Sequence, residues 1–227
     1  MVFLVIFVPM NDFEPYLQAG QLTDSDHPAI IAYAHQHTVG ILDPTEKIIA
    51  LYYAIRDGFR YNPYQILLEP DALKASYLLT KTEGYCIEKS NLLAACARVL
   101  GVPSRLGFGN VTNHLATSKL EVTLGTNLLV FHGYAELYLN DKWVKATPVF
   151  NKELCQLLEV APLEFDGKTD AVFQESDKSG KPFMEYSHHY GTYSDVPFDQ
   201  FKAELIRHYP HLFDNGKLIN KAFAVDL

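Results

Sequence analysis

Residues 84–106 read GYCIEKSNLLAACARVLGVPSRL, and the reading of this stretch decides the fold. Ile87, Leu92, Leu93, Cys96, Val99 and Leu100 recur at spacings of three and four, the period of a helix with an apolar face. Gly101 closes the pattern and Pro103 follows two residues on, so a helix is expected over 86–100. Cys86 then stands in the first turn. Unpaired N–H groups and the helix dipole stabilise an anion there, so the position predicts a lowered thiol pKa and a raised thiolate fraction. The same N–H groups suit an oxyanion formed from an attacked carbonyl. Cys96 falls mid-helix on the apolar face and Cys155 in a short Leu-rich helix; both read as core.

Outward from this helix the chain supplies helices first and strands later. Residues 25–39 read as a helix with Pro28 in its first turn and Gly40 beyond its end. Asp43, Pro44 and Glu46 open the next as N-cap, first position and capping-box partner, and Gly58 ends it. Ile48, Ile49, Leu51, Tyr52 and Ile55 give that helix a wide buried stripe, and a shorter helix is expected over Asp71–Leu79. Residues 104–112 and 128–139 instead alternate as strands, and Asn140-Asp141 turn the chain into a further strand, KWVKATPV, with Pro148 at its end. Helices follow at about Lys152–Leu158 and Phe198–His208, and the polar, aromatic stretch between, 164–196, reads as irregular. This order predicts an α+β fold with N-terminal helices packed on an antiparallel sheet. It is expected to form a single domain over 1–227, with a core at about 43–160 and a C-terminal extension at about 161–227.

Composition narrows the function class. A formal net charge of −8 argues against a nucleic-acid partner, since phosphate contact needs clustered Lys and Arg. The opening MVFLVIFVP lacks a basic flank and a small-residue cleavage site and is too short to span a bilayer; it reads as a buried strand stopped by Pro9. No membrane partner is expected. The three cysteines form no CxxC pair, which argues against a disulfide framework or structural zinc and favours the reducing cytoplasm. Tyr and Phe, 14 each, point to an aromatic core or an aromatic-lined cleft.

A thiol nucleophile needs a base, and the stretch FHGYAELYLNDKWVKATPVFN (131–151) offers one. On a strand over 132–139, His132, Tyr134, Glu136 and Tyr138 share one face. With the turn at 140–141, His132 lies opposite Val149, and Thr147 and Asn151 are its diagonal neighbours. Spacing thus puts a polar orienting group near the imidazole, as a nucleophile–base–orienter set requires. Tyr61, Tyr64 and Tyr85 flank the site in sequence and, with Tyr134, are candidates for its cleft wall.

These two motifs resemble those of transglutaminase-like proteins. The first is Gly, aromatic, Cys and a helix, with Arg98, Gly101, Val102, Pro103 and Arg105 as its tail; the second is His132, Glu136, Tyr138, Trp143 and Val144. RYNPY (60–64) is compatible with the same pattern. The resemblance implies a papain-like α+β core with a Cys-His-Asp triad. At the third position, where the family has Asp-Pro, this chain has Thr147-Pro148. A hydroxyl accepts from an imidazole but does less for an imidazolium. Asn151 is the alternative orienter, because an Asn serves in papain-like enzymes; its other reading is the N-cap of the following helix.

The resulting expectation is a thiol-dependent acyl-transfer enzyme acting on an amide or ester carbonyl of a peptide, protein or small molecule. Cys86 is the nucleophile and His132 the base and then the acid, with hydrolysis favoured over transfer to an amine and no cofactor required. The alternative is a transglutaminase-like binding module without catalysis. No metal site is expected. His188-His189 reads as a surface loop pair, His35 and His37 fall on different helix faces, and Asp166-Gly167-Lys168 reads as a turn.

Overall fold

The helix that opens at Cys86 is buried on all sides, which an amphipathic stripe does not anticipate. In the computed structural model, which describes residues 10–114 and 118–219, every residue from Cys86 to Arg98 is buried. In chain order the elements are α1 (Pro28–Gln36), α2 (Pro44–Gly58), β1 (Arg60–Tyr61), α3 (Ala75–Leu78), β2 (Glu83–Gly84) and α4 (Cys86–Val99). There follow β3 (Ser104–Asn113), α5 (Ser118–Leu124), β4 (Leu128–Leu139), β5 (Lys142–Ala146), α6 (Lys152–Leu157), β6 (Met184–Tyr193) and α7 (Phe198–His208). The opening MVFLVIFVP lies outside the described residues.

Four strands form an antiparallel sheet in the order β5-β4-β3-β6. Helix α4 packs on it with its apolar face, and its polar face is covered by the N-terminal helices. The buried polar side chains there are all matched. Asn91 Nδ2 donates to Leu22 O (2.9 Å) and Leu73 O (3.0 Å), and Arg98 Nη1 donates to Gln18 O (2.7 Å). Lys89, 0% exposed, donates to three carbonyls: Arg56 O (2.9 Å), Phe59 O (2.7 Å) and Val149 O (2.6 Å). Burial draws its pKa down to about 7. Three donated bonds nonetheless need three N–H groups, which only the ammonium form has.

The hairpin register agrees with the turn at Asn140-Asp141, both in left-handed backbone: Leu139 pairs with Lys142 and Ala135 with Ala146. Motif residues lock it, since Arg105 Nε bonds Glu136 Oε2 across β3 and β4 (2.6 Å) and the Arg105 guanidinium lies 4.1 Å from the Trp143 ring centroid. Several expectations are corrected. The strand through Pro148 stops at Ala146, because the Thr147 N–H turns away to Ala171 O (2.8 Å). The helix expected over Asp71–Leu79 is a 3-10 turn, Pro70–Leu73, followed by the short α3. The helix expected over 25–39 keeps only Pro28–Gln36, since the His27 side chain caps its start. Residues 164–196 are not wholly irregular: β6 completes the sheet beside β3, and His188 and His189 stand exposed on that strand, not in a loop.

Lys89→Met removes one donor from three buried carbonyls and is expected to cost on the order of 3 kcal/mol in urea unfolding. A loss below about 1 kcal/mol would show that the three bonds do not hold the fold together.

Candidate active site

Cys86 is the first residue of α4, held there from both sides. The Glu88 carboxylate accepts the N–H of Tyr85 (3.1 Å), half of a capping box, and Lys81 pairs with its other oxygen. On the sheet side, a Cβ on Gly133 would stand 3.2 Å from Ile87 Cα, so the glycine permits the close approach of helix to strand. Ser90 Oγ donates to Gly133 O (3.2 Å), which ties the helix to β4.

This close packing changes the chemistry expected of the thiol. Cys86 is 8% exposed, and burial raises its pKa to about 11; the N–H groups of Gly133, Ile87 and Cys86 recover only part of that. The lowered pKa predicted from a helix N-terminus is therefore overturned: loss of water outweighs the local dipoles. His132 is 4% exposed, and burial lowers its imidazole to about 4. Between those values the site holds a neutral thiol and a neutral imidazole.

An irregularity in the sheet sets the position of His132. His132 pairs with Gly109, but the register of β3 and β4 shifts before Val111 meets Leu129. Within that shift Phe131 adopts φ 62°, and its N–H is accepted by Asn110 Oδ1 (3.1 Å). A bulge of this kind re-aims the next side chain, and left-handed backbone at a bulky residue persists only where its surroundings hold it. Asn110 is thus a residue the sequence reading passes over. Its one signal is a poor strand former in the middle of SRLGFGNVTN.

Cys86 and His132 line one chamber of about 60 Å³, whose walls include Tyr61 and Tyr85. Thr147 is not part of it. It shares with His132 a smaller cavity of about 10 Å³, also lined by Phe173 and Gln174. Thr147 Oγ1 and His132 Nδ1 are both buried, and neither has a hydrogen-bond partner among the described residues. The Asn151 amide is committed elsewhere: Oδ1 accepts from Tyr61 N (3.1 Å) and Nδ2 donates to Glu153 (2.7 Å). Asn151 occupies the N-cap position of α6 without a capping side-chain bond. Tyr64 and Tyr61 line a third cavity, of about 460 Å³. Tyr134 lines none of the three; its ring covers Gly107, where a Cβ would meet it at 2.2 Å. Among the described residues no group of three or more His, Cys, Asp or Glu is placed to hold a metal ion, and no helix is long and apolar enough to cross a membrane.

A helix with a cysteine at its start, packed on an antiparallel sheet whose inner strand carries a histidine to the same chamber, defines a papain-like α+β core. The chain belongs to the transglutaminase-like superfamily, whose model matches residues 31–148 and so takes in Cys86, His132 and Thr147. Among solved structures it is similar to a proposed cysteine protease from Cytophaga hutchinsonii, with 17% identity, 82% of this chain and 55% of that chain covered, and a TM-score of 0.49. It is also similar to a proposed protease from Parabacteroides distasonis, with 15% identity, 60% and 25% covered, and a TM-score of 0.37. The chain therefore spans about half the length of the first and a quarter of the second. No curated protein matches it.

The buried imidazole sets a pH dependence of stability. Its folded pKa of about 4 lies below the ordinary 6.5, so the unfolded chain takes up the proton first as pH falls. Stability is full above pH 6.5 and declines towards pH 4, by roughly 3 kcal/mol in all. Urea unfolding from pH 7 to 4 is expected to show a loss that His132→Gln reduces by about that amount. Equal losses in the two proteins would place His132 in water.

Proposed function

We propose that the protein is a thiol-dependent acyl-transfer enzyme that opens an amide or ester bond. The observation that carries this reading is the convergence of Cys86 and His132 on one chamber at the start of a buried helix. Because burial favours the neutral forms, the reactive pair is thiol and imidazole. His132 takes the Sγ proton as the sulfur–carbon bond forms, then passes it to the leaving amine or alkoxide. Water, deprotonated by His132, next attacks the thioester, and the sulfur leaves with its proton restored. The Cys86 N–H holds the oxyanion. Water is the acceptor here rather than an amine, since it is always available to the thioester. The substrate class is an amide or an ester, and three free cysteines support a reducing cytoplasm.

Thr147 is the orienting residue in this reading, acting through a water. Two buried, unpartnered polar atoms share with Gln174 a cavity near the volume of one water, and a bridging water would satisfy both. That bridge fixes the Nδ1–H tautomer and leaves Nε2 as the base. Thr147→Val is expected to lower turnover by about 10-fold, and Asn151→Ala by less. Equal or reversed effects would remove Thr147 from the site.

A second reading, a binding module without catalysis, is favoured by the neutral group at the third position. Alkylation of Cys86 by iodoacetamide at neutral pH separates the two. The enzyme reading expects His132→Ala to slow it by at least ~100-fold. A rate that His132→Ala leaves unchanged would favour the module.

A further inference from the structure

We infer that the large cavity beside the thiol chamber is an acyl-chain pocket, and that the substrate's acyl group is an extended apolar chain rather than a peptide segment. The inference rests on the acyl-transfer reading and names the substrate class of that site. The cavity, of about 460 Å³, falls in the range that encloses a drug-sized ligand. It shares Tyr61, Pro63, Leu120 and Leu129 with the chamber that holds Cys86 and His132, so an apolar wall runs continuously from the thiol into it. Phe150, Leu154, Leu158 and Phe183 line it further in, and Leu157, 80% exposed, extends the apolar surface outward.

The lining of the cavity favours an aliphatic chain over a peptide. Its amide and charged side chains already have partners within the protein. Arg60 pairs with Glu83 (2.7 Å), and Asn62 donates to Glu83 (3.0 Å) while accepting from Tyr64 N (2.9 Å). Asn151 binds Tyr61 N and Glu153, Lys119 lies 5.9 Å from the Tyr64 ring centroid, and Asn113 also has a partner. A bound peptide would bury N–H and C=O groups against a mostly apolar lining whose few polar side chains are already partly engaged, at the cost of leaving some of those groups unsatisfied. An aliphatic chain has no such groups.

The test uses p-nitrophenyl acetate, hexanoate and decanoate alongside a peptide p-nitroanilide. The kcat/KM is expected to rise on the order of 100-fold from acetate to decanoate. Leu154→Trp, which fills the cavity, should collapse that ratio to within about 3-fold. Calorimetry with decanamide on Cys86→Ala measures the pocket without turnover, and binding that Leu154→Trp abolishes in the same background supports it. A flat chain-length series, a preference for the peptide, or no decanamide binding would overturn the pocket and leave the thiol chemistry standing. Decanamide binding with no turnover of any ester would uphold the pocket and sink the acyl-transfer reading instead.

Discussion

The Lys89 ammonium is the constraint on which the rest of the structure depends. It sits one turn into α4 from Cys86 and draws three otherwise separate carbonyls to one point. Two belong to the C-terminal end of α2, where a cation also complements the helix dipole, and from there the chain runs directly to Tyr61. The third, Val149 O, belongs to the segment that carries Thr147 and Asn151. A single buried charge therefore ties the helix that opens at Cys86 to the segments that carry Tyr61, Thr147 and Asn151. The cost of burying the charge is offset only because all three donors are matched. That dependence also makes the site sensitive to changes remote from the thiol.

Burial has a second consequence, which is chemical. A helix N-terminus at a surface favours a thiolate, but α4 begins against β4 at Gly133 and beneath the chamber's aromatic walls. Removing water raises the thiol and lowers the imidazole, so the pair is neutral near pH 7. In the acyl-transfer reading we propose, proton transfer is coupled to attack instead of preceding it. A neutral third residue suits this arrangement better than it would suit a standing imidazolium, because there is no resting charge for it to balance.

Much of the fold was legible in the sequence because its signals are local. Helix α2, helix α7 and strand β4 stand where capping residues, period and turn chemistry put them. The places of Cys86 at a helix start and of His132 on a strand were legible for the same reason. The misses share one cause: they depend on partners distant in sequence. Strand β6 is an edge strand whose pairing with β3 shifts twice, so MEYSHHYGTY never shows clean alternation. The bulge that aims His132 is made by Asn110 accepting from Phe131, 21 residues away. Nor can periodicity say that the polar face of α4 is buried, since that follows from Leu22, Leu73 and Gln18 reaching it from the N-terminal region. The thiol pKa was misjudged on the same ground, because burial is a property of the assembled fold.

The central claim is that Cys86 forms a thioester with His132 as its base. The most direct measurement is peptide mapping by mass spectrometry after a rapid acid quench of the protein mixed with a p-nitrophenyl ester. The account predicts one acyl group per chain, on Cys86, with its formation suppressed in His132→Ala. Acylation at Cys96 or Cys155, no adduct at all, or an adduct on Cys86 that His132→Ala leaves unchanged would contradict it.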